Sequence, residues 1–135
     1  MPRFVVLEHT GHPEDSGGRH YDLLLEDPCL PAGPACHTWR LDAIPVVGGP
    51  EVTTRELPPH RLEWLDRVEG PVSGNRGFAR RIDAGTYEPV TGFDDAQAAL
   101  VVAVRGGTLV GRLRLERGAT GRARLEACRM VPEAS

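Results

Sequence analysis

The stretch that decides the fold is Arg3-Phe4-Val5-Val6-Leu7-Glu8-His9, followed after a break by His20-Tyr21-Asp22-Leu23-Leu24-Leu25-Glu26. Both runs are β-branched or leucine-rich. The residues between them, His12-Pro13-Glu14-Asp15-Ser16-Gly17-Gly18-Arg19, form turns rather than helix or strand. Two such runs joined by a turn read as an antiparallel hairpin. The end of the first strand then lies beside the start of the second, so His9 neighbours His20. Side chains two apart share one face of a strand, so His20 and Asp22 point the same way. Three groups able to ligate a metal or contact a phosphate converge with no long-range assumption.

Further strand-like runs follow at 37–43, 51–56, 78–83, 99–105, 108–116 and 122–128, after the first two at 3–9 and 19–26. Gly106-Gly107 is a hairpin signal, and Gly118-Ala119-Thr120-Gly121 makes another turn. Many short strands at even spacing predict one compact, mainly β domain over residues 1–135, an antiparallel β-barrel that leaves few open edges. The Pro- and Gly-rich region 44–60 is expected to be an excursion over the barrel. Asp94 to Ala99 is the one stretch that looks helical, for a turn or two.

The chain has 135 residues, enough for one domain with a real core, and a net charge of -3. All sixteen basic residues are arginine. The absence of lysine excludes a lysine nucleophile, a Schiff base or a P-loop lysine. It leaves arginine as the permanent cation for phosphate, which it grips bidentately. The net charge argues against a protein that coats duplex DNA by broad phosphate neutralisation, though not against a local basic patch. Cys29, Cys36 and Cys128 are odd in number and lack a CxxC spacing, so reduced thiols are expected rather than a disulfide framework or zinc knuckle. There is no signal-like h-region and no membrane-length apolar run, so a soluble, cytoplasmic protein is expected; a monomer is expected as well.

Histidine and carboxylate donors suit zinc, manganese or iron, and three protein ligands leave positions open for water or substrate. The same spacing also suits two satisfied strand-end histidines with Asp22 in a turn or salt bridge. Spacing alone does not choose between these. His12, past the strand end, reads as solvated. A second polar cluster runs from His60 to Gly70, with His60 and Trp64 able to face one side of an irregular strand or helical turn. After it, Pro71-Val72-Ser73-Gly74-Asn75-Arg76-Gly77 is a Gly-rich loop whose amides, with Arg76, could receive an anion. Arg80 and Arg81 follow as a solvated strand face or a phosphate clamp.

Taken together these segments resemble the 3′-phosphoesterase domain of bacterial ATP-dependent DNA ligase D, and more closely its short stand-alone relatives. The anchors are Phe4 to His9, His20-Tyr21-Asp22-Leu23-Leu24-Leu25-Glu26, Trp39, His60, Leu62, Glu69-Gly70, Asp83-Ala84-Gly85-Thr86-Tyr87-Glu88-Pro89 and Leu109-Val110-Gly111-Arg112. The resemblance implies a β-barrel with a groove. It implies manganese-dependent trimming of DNA 3′ ends, removing a terminal ribonucleoside and then a 3′-phosphate. It places the metal, manganese or alternatively zinc, on His9, His20 and Asp22, and a phosphate contact on His60, with Trp64 where the ligase domain has tyrosine; His60 is then expected to be catalytic with His9 and Asp22, as general acid or transition-state stabiliser. A separate ligase or polymerase would be the partner. The ligase domain has a phosphate-gripping arginine two residues after its metal-binding aspartate, where this chain has Leu24. Arg76, Arg80 or Arg81 is the expected replacement. A lost cation usually cripples phosphoryl transfer, so a metal-containing binding module without turnover is the alternative expectation.

Overall fold

The computed structural model describes residues 2–11, 13, 18–27, 34–72, 77–91 and 98–127. The strands are β1 (Arg3–Thr10), β2 (Arg19–Glu26), β3 (Pro34–Leu41), β4 (Val52–Arg61), β5 (Glu69–Pro71), β6 (Phe78–Pro89), β7 (Ala99–Gly106), β8 (Val110–Glu116) and β9 (Gly121–Glu126). A single 3-10 turn, Leu62–Leu65, follows β4. Among the described residues no helix is long and apolar enough to cross a membrane.

All nine strands belong to one antiparallel sheet in the order β1-β2-β3-β4-β9-β8-β7-β6-β5, and β1 also pairs with β6. That extra pairing closes eight strands in a ring and leaves β5 attached to the side of β6. β6 serves two partners on one edge by its length. Gly70 and Ala79 pair at its start, and Tyr87 pairs with Val104 of β7 near its end.

Alternation along the strands decides what fills the ring. Phe4 and Val6 of β1, Leu23 and Leu25 of β2, Trp39 and Leu41 of β3, and Leu100, Val102 and Val104 of β7 pack with residues of β6, β8 and β9 in one buried cluster. The intervening residues of β1 and β2, Val5, Leu7 and Leu24, face outward. They join Cys36 and Leu65 in a second cluster, with Trp64 of the 3-10 turn against it. The outer face of β1–β3 is thus also apolar, which explains the continuous Leu23-Leu24-Leu25 run: a strand buried on both sides loses its alternation.

Asp83 organises the end of the β7–β8 hairpin. Its Oδ1 accepts from the Gly107 amide at 2.8 Å and its Oδ2 from the Thr108 and Leu109 amides at 3.2 and 2.6 Å. A Cβ at Gly85 would stand 2.0 Å from the Arg105 carbonyl oxygen, so only glycine permits β6 to lie this close to β7.

Two expectations are corrected, and one strand is added. Residues 44–60 are not one excursion, because β4 begins at Val52 and runs through Pro58 and Pro59; the irregular connection is Asp42 to Glu51. The prolines fit because β4 pairs with β9 at Val52, Thr53 and Thr54, and beyond the Glu56 amide, which donates to the Gly118 carbonyl, no ladder partner lies on that edge among the described residues. Ala99, expected to end a helix, opens β7 instead, while Asp94 to Gln97 lie outside the described residues. β5 had not been expected, since three residues carry no periodic signal.

Candidate metal centre

The β1–β2 register sets His9 directly opposite His20 and Leu7 opposite Asp22. Opposed residues share a face, so His9, His20 and Asp22 all project from the outer side of the ring, continuing the Val5-Leu7-Leu24 surface. The amide of Gly11 donates to the Gly18 carbonyl at 3.2 Å, closing the hairpin just beyond the pair.

The three side chains are 7%, 2% and 7% exposed, which is unusual for polar groups and demands a reason. The imidazole centroids lie 4.6 Å apart with their planes at 57°. One carboxylate oxygen, Asp22 Oδ2, stands 3.5 Å from His9 Nδ1 and 3.6 Å from His20 Nε2. One ligand atom from each residue lies within 4.8 Å of the others. These separations exceed a good N–H···O hydrogen bond. The two carboxylate–imidazole separations lie close to the edges, roughly 3.3–3.6 Å, of a tetrahedron whose bonds to an ion are about 2.0–2.2 Å. The other oxygen, Asp22 Oδ1, is buried and has no hydrogen-bond partner among the described residues. An orphaned, buried carboxylate oxygen beside two imidazoles fits a divalent cation by donor chemistry as well as by spacing.

The electrostatics agree. Burial opposes ionisation of Asp22, but His20 and His9 outweigh it and hold the carboxyl well below the ordinary carboxylate range. The group is therefore anionic across the physiological range, as a metal ligand must be.

The other expected site residues are scattered. Arg81 pairs with Leu7 and so comes onto the face of the triad, where its Nη1 donates to the Leu65 carbonyl at 3.3 Å. Arg80 pairs with Glu8 and points to the opposite face from His9, with its Nη2 3.3 Å from Glu8 Oε1. His60 pairs with Cys36, whereas Asp22 pairs with Arg40, four residues further along β3. That offset is roughly 13 Å along the strands, so His60 does not join the triad. Its Nδ1 is 3.1 Å from the Pro58 carbonyl oxygen. Trp64 covers the second apolar cluster, and the Arg67 guanidinium stacks 4.7 Å above its ring. Leu24 is fully buried in the same cluster. Arg76 and His12 lie outside the described residues, as do Cys29 and Cys128.

Sequence reading missed Arg40 and Arg55. Arg40 alternates with the core residues Trp39 and Leu41, which assigns it to the outer face, but its neighbours across β2 and β4 are set by long-range register.

No family model matches the chain, and no curated protein matches it.

Proposed function

We propose that the ring is a small β-barrel whose outer face carries a divalent-metal site, and that the protein is a metal-dependent phosphoesterase acting on nucleic-acid 3′ ends in DNA repair. The observation that carries this reading is the buried His9–His20–Asp22 group with its unsatisfied carboxylate oxygen. The resemblance to ligase-D phosphoesterase domains supplies the substrate class and favours manganese over zinc.

A bound divalent ion would supply Lewis-acid polarisation of a phosphoryl oxygen and acidify a water at neutral pH. His9, His20 and Asp22 would hold the ion, and they are themselves fixed on paired strands before substrate arrives. Of the two sequence-predicted arginines among the described residues, Arg81, on the same face, is the better placed to meet phosphate charge. His60 and Trp64, further along that face, contact the nucleic acid beyond the metal. Arg80 serves Glu8 and has no part in this reading.

One observation favours a second reading, a metal-containing module that binds 3′ ends for a separate ligase or polymerase without turning them over. Leu24 is sealed in an apolar cluster, so no cation can occupy that position. Incubating the protein with a 3′-phosphate primer-template and manganese decides between them. Phosphate release lost in Asp22→Asn establishes the enzyme. End binding that requires manganese but yields no product establishes the module. Absence of manganese and zinc binding ends both.

A further inference from the structure

Beside the metal group, β3 and β4 bring two arginines together. Asp22 pairs with Arg40, and Arg40 pairs with Arg55 on the far side. These three residues therefore form a row across the outer face, at right angles to the strands. Two residues along, Thr53 pairs with Arg122 of β9. A cleft of about 550 Å3 opens over β3, β4 and the turn before β9, and Arg40, Arg55 and Arg122 line it.

Like charges directly opposite in a sheet repel, so an Arg–Arg pair needs a compensating anion. Among the described residues no ion pair joins a carboxylate to either arginine. The Asp22 carboxylate is engaged by His9 and His20, and no ion pair joins it to Arg40. Asp42 and Glu116 line the cleft as well, but Glu116 is taken by Arg114 at 3.5 Å, and Arg122 faces Glu51 at 3.8 Å. Arg40 and Arg55 have no carboxylate partner there. The Arg40 Nε is buried with no hydrogen-bond acceptor. A buried guanidinium N–H without an acceptor is a costly arrangement for the protein alone. An oxyanion in the cleft would satisfy it.

We infer that Arg40 and Arg55 form a phosphate-binding subsite beside the metal group, gripping a phosphate or phosphodiester of the same nucleic-acid ligand. This deepens the phosphoesterase reading and rests on it for the identity of the ligand. It also answers the loss at Leu24: the cation comes from the next strand, across from Asp22, rather than from two residues further along β2.

The test uses the full chain and two probes, inorganic phosphate and a fluorescent single-stranded oligonucleotide ending in a 3′-phosphate. Affinity is measured against salt concentration for wild type, Arg40→Gln, Arg55→Gln and the double variant. Manganese binding is measured separately by calorimetry. Each substitution is expected to weaken the oligonucleotide by roughly tenfold. The double variant should lower the salt slope by about 1.4, the value for two lost single-strand phosphate contacts. Inorganic phosphate should raise the melting temperature of wild type but not of the double variant, and manganese affinity should be unchanged. Arg112→Gln, on β8, is the control and should leave the 3′-end affinity close to wild type. Unchanged affinity and slope in the double variant, with manganese still bound, would overturn the subsite and leave the metal reading intact. Failure of wild type to bind either probe overturns it too. Arginine-dependent phosphate binding in a protein that takes up no manganese upholds the subsite while the metal reading fails.

Discussion

His9 and His20 stand directly opposite one another across the β1–β2 ladder, their ring centroids 4.6 Å apart, with Asp22 Oδ2 shared between them. Two rings and a carboxylate buried at the turn end of a hairpin would be costly without an ion to coordinate or protons to share. Manganese or zinc at about 100 times its dissociation constant should stabilise the fold by about 2.7 kcal/mol. For a domain of this size that is a rise of roughly 5–10 °C in melting temperature. Calorimetric scans with and without metal check it, and His9→Ala and Asp22→Asn should each abolish the increment.

Placing an arginine at position 24 should destabilise the fold rather than add a phosphate contact. Leu24 is fully buried against Val5, Leu7, Cys36 and Leu65. Leu24→Arg forces an unpaired guanidinium into that cluster, at a cost of several kcal/mol. Urea unfolding should show a loss of about 3 kcal/mol or more, while Leu24→Met should stay within about 1.5 kcal/mol of wild type.

Asp83 accepts from the amides of Gly107, Thr108 and Leu109 and from its neighbour Ala84. Asp83→Ala leaves these donors to water or to nothing, and should destabilise by about 2–3 kcal/mol. Hydrogen exchange gives the localising check: the amides of 107–109 should lose protection before those of β1 and β2.

Glu56 links β4 to the β8–β9 turn through Arg117 Nη2 at 3.0 Å and the Gly118 amide at 2.9 Å. Burial works against its charge, but Arg117 and the Gly118 amide prevail and depress the carboxyl. A depressed folded-state value means the contribution is present above the ordinary glutamate range, about 4.3, and is lost as pH falls through the lower folded value. Melting temperature should therefore drop as pH falls from about 5 to about 3. Glu56→Gln should be less stable at pH 7 and show a flatter profile over that window.

The triad was readable from the chain because everything that makes it is local. His20 and Asp22 share a face by strand pleating, and one hairpin sets His9 against His20. The runs at 37–43 and 99–105 likewise announced β3 and β7, though not which of their residues face inward. The Pro58-Pro59 step of β4 was hidden, since prolines suit a strand only once its neighbours are known. β5 and the 3-10 turn were hidden too, because three- and four-residue elements carry no periodicity and exist by packing onto β6 and the second apolar cluster.

The sequence by itself determined the longer strands and the meeting of His9, His20 and Asp22 at the end of one hairpin, a group that could hold a metal ion, because pleat and hairpin act over a few residues. Tertiary structure alone decided that Arg40 and Arg55 lie beside Asp22, that Arg81 shares that face while Arg80 does not, and that His60 stands well along the strands from the triad. Those relations follow from the registers of β2 on β3, β3 on β4 and β1 on β6. Each is fixed by the closure of the ring around its core and not by the residues between the strands it joins.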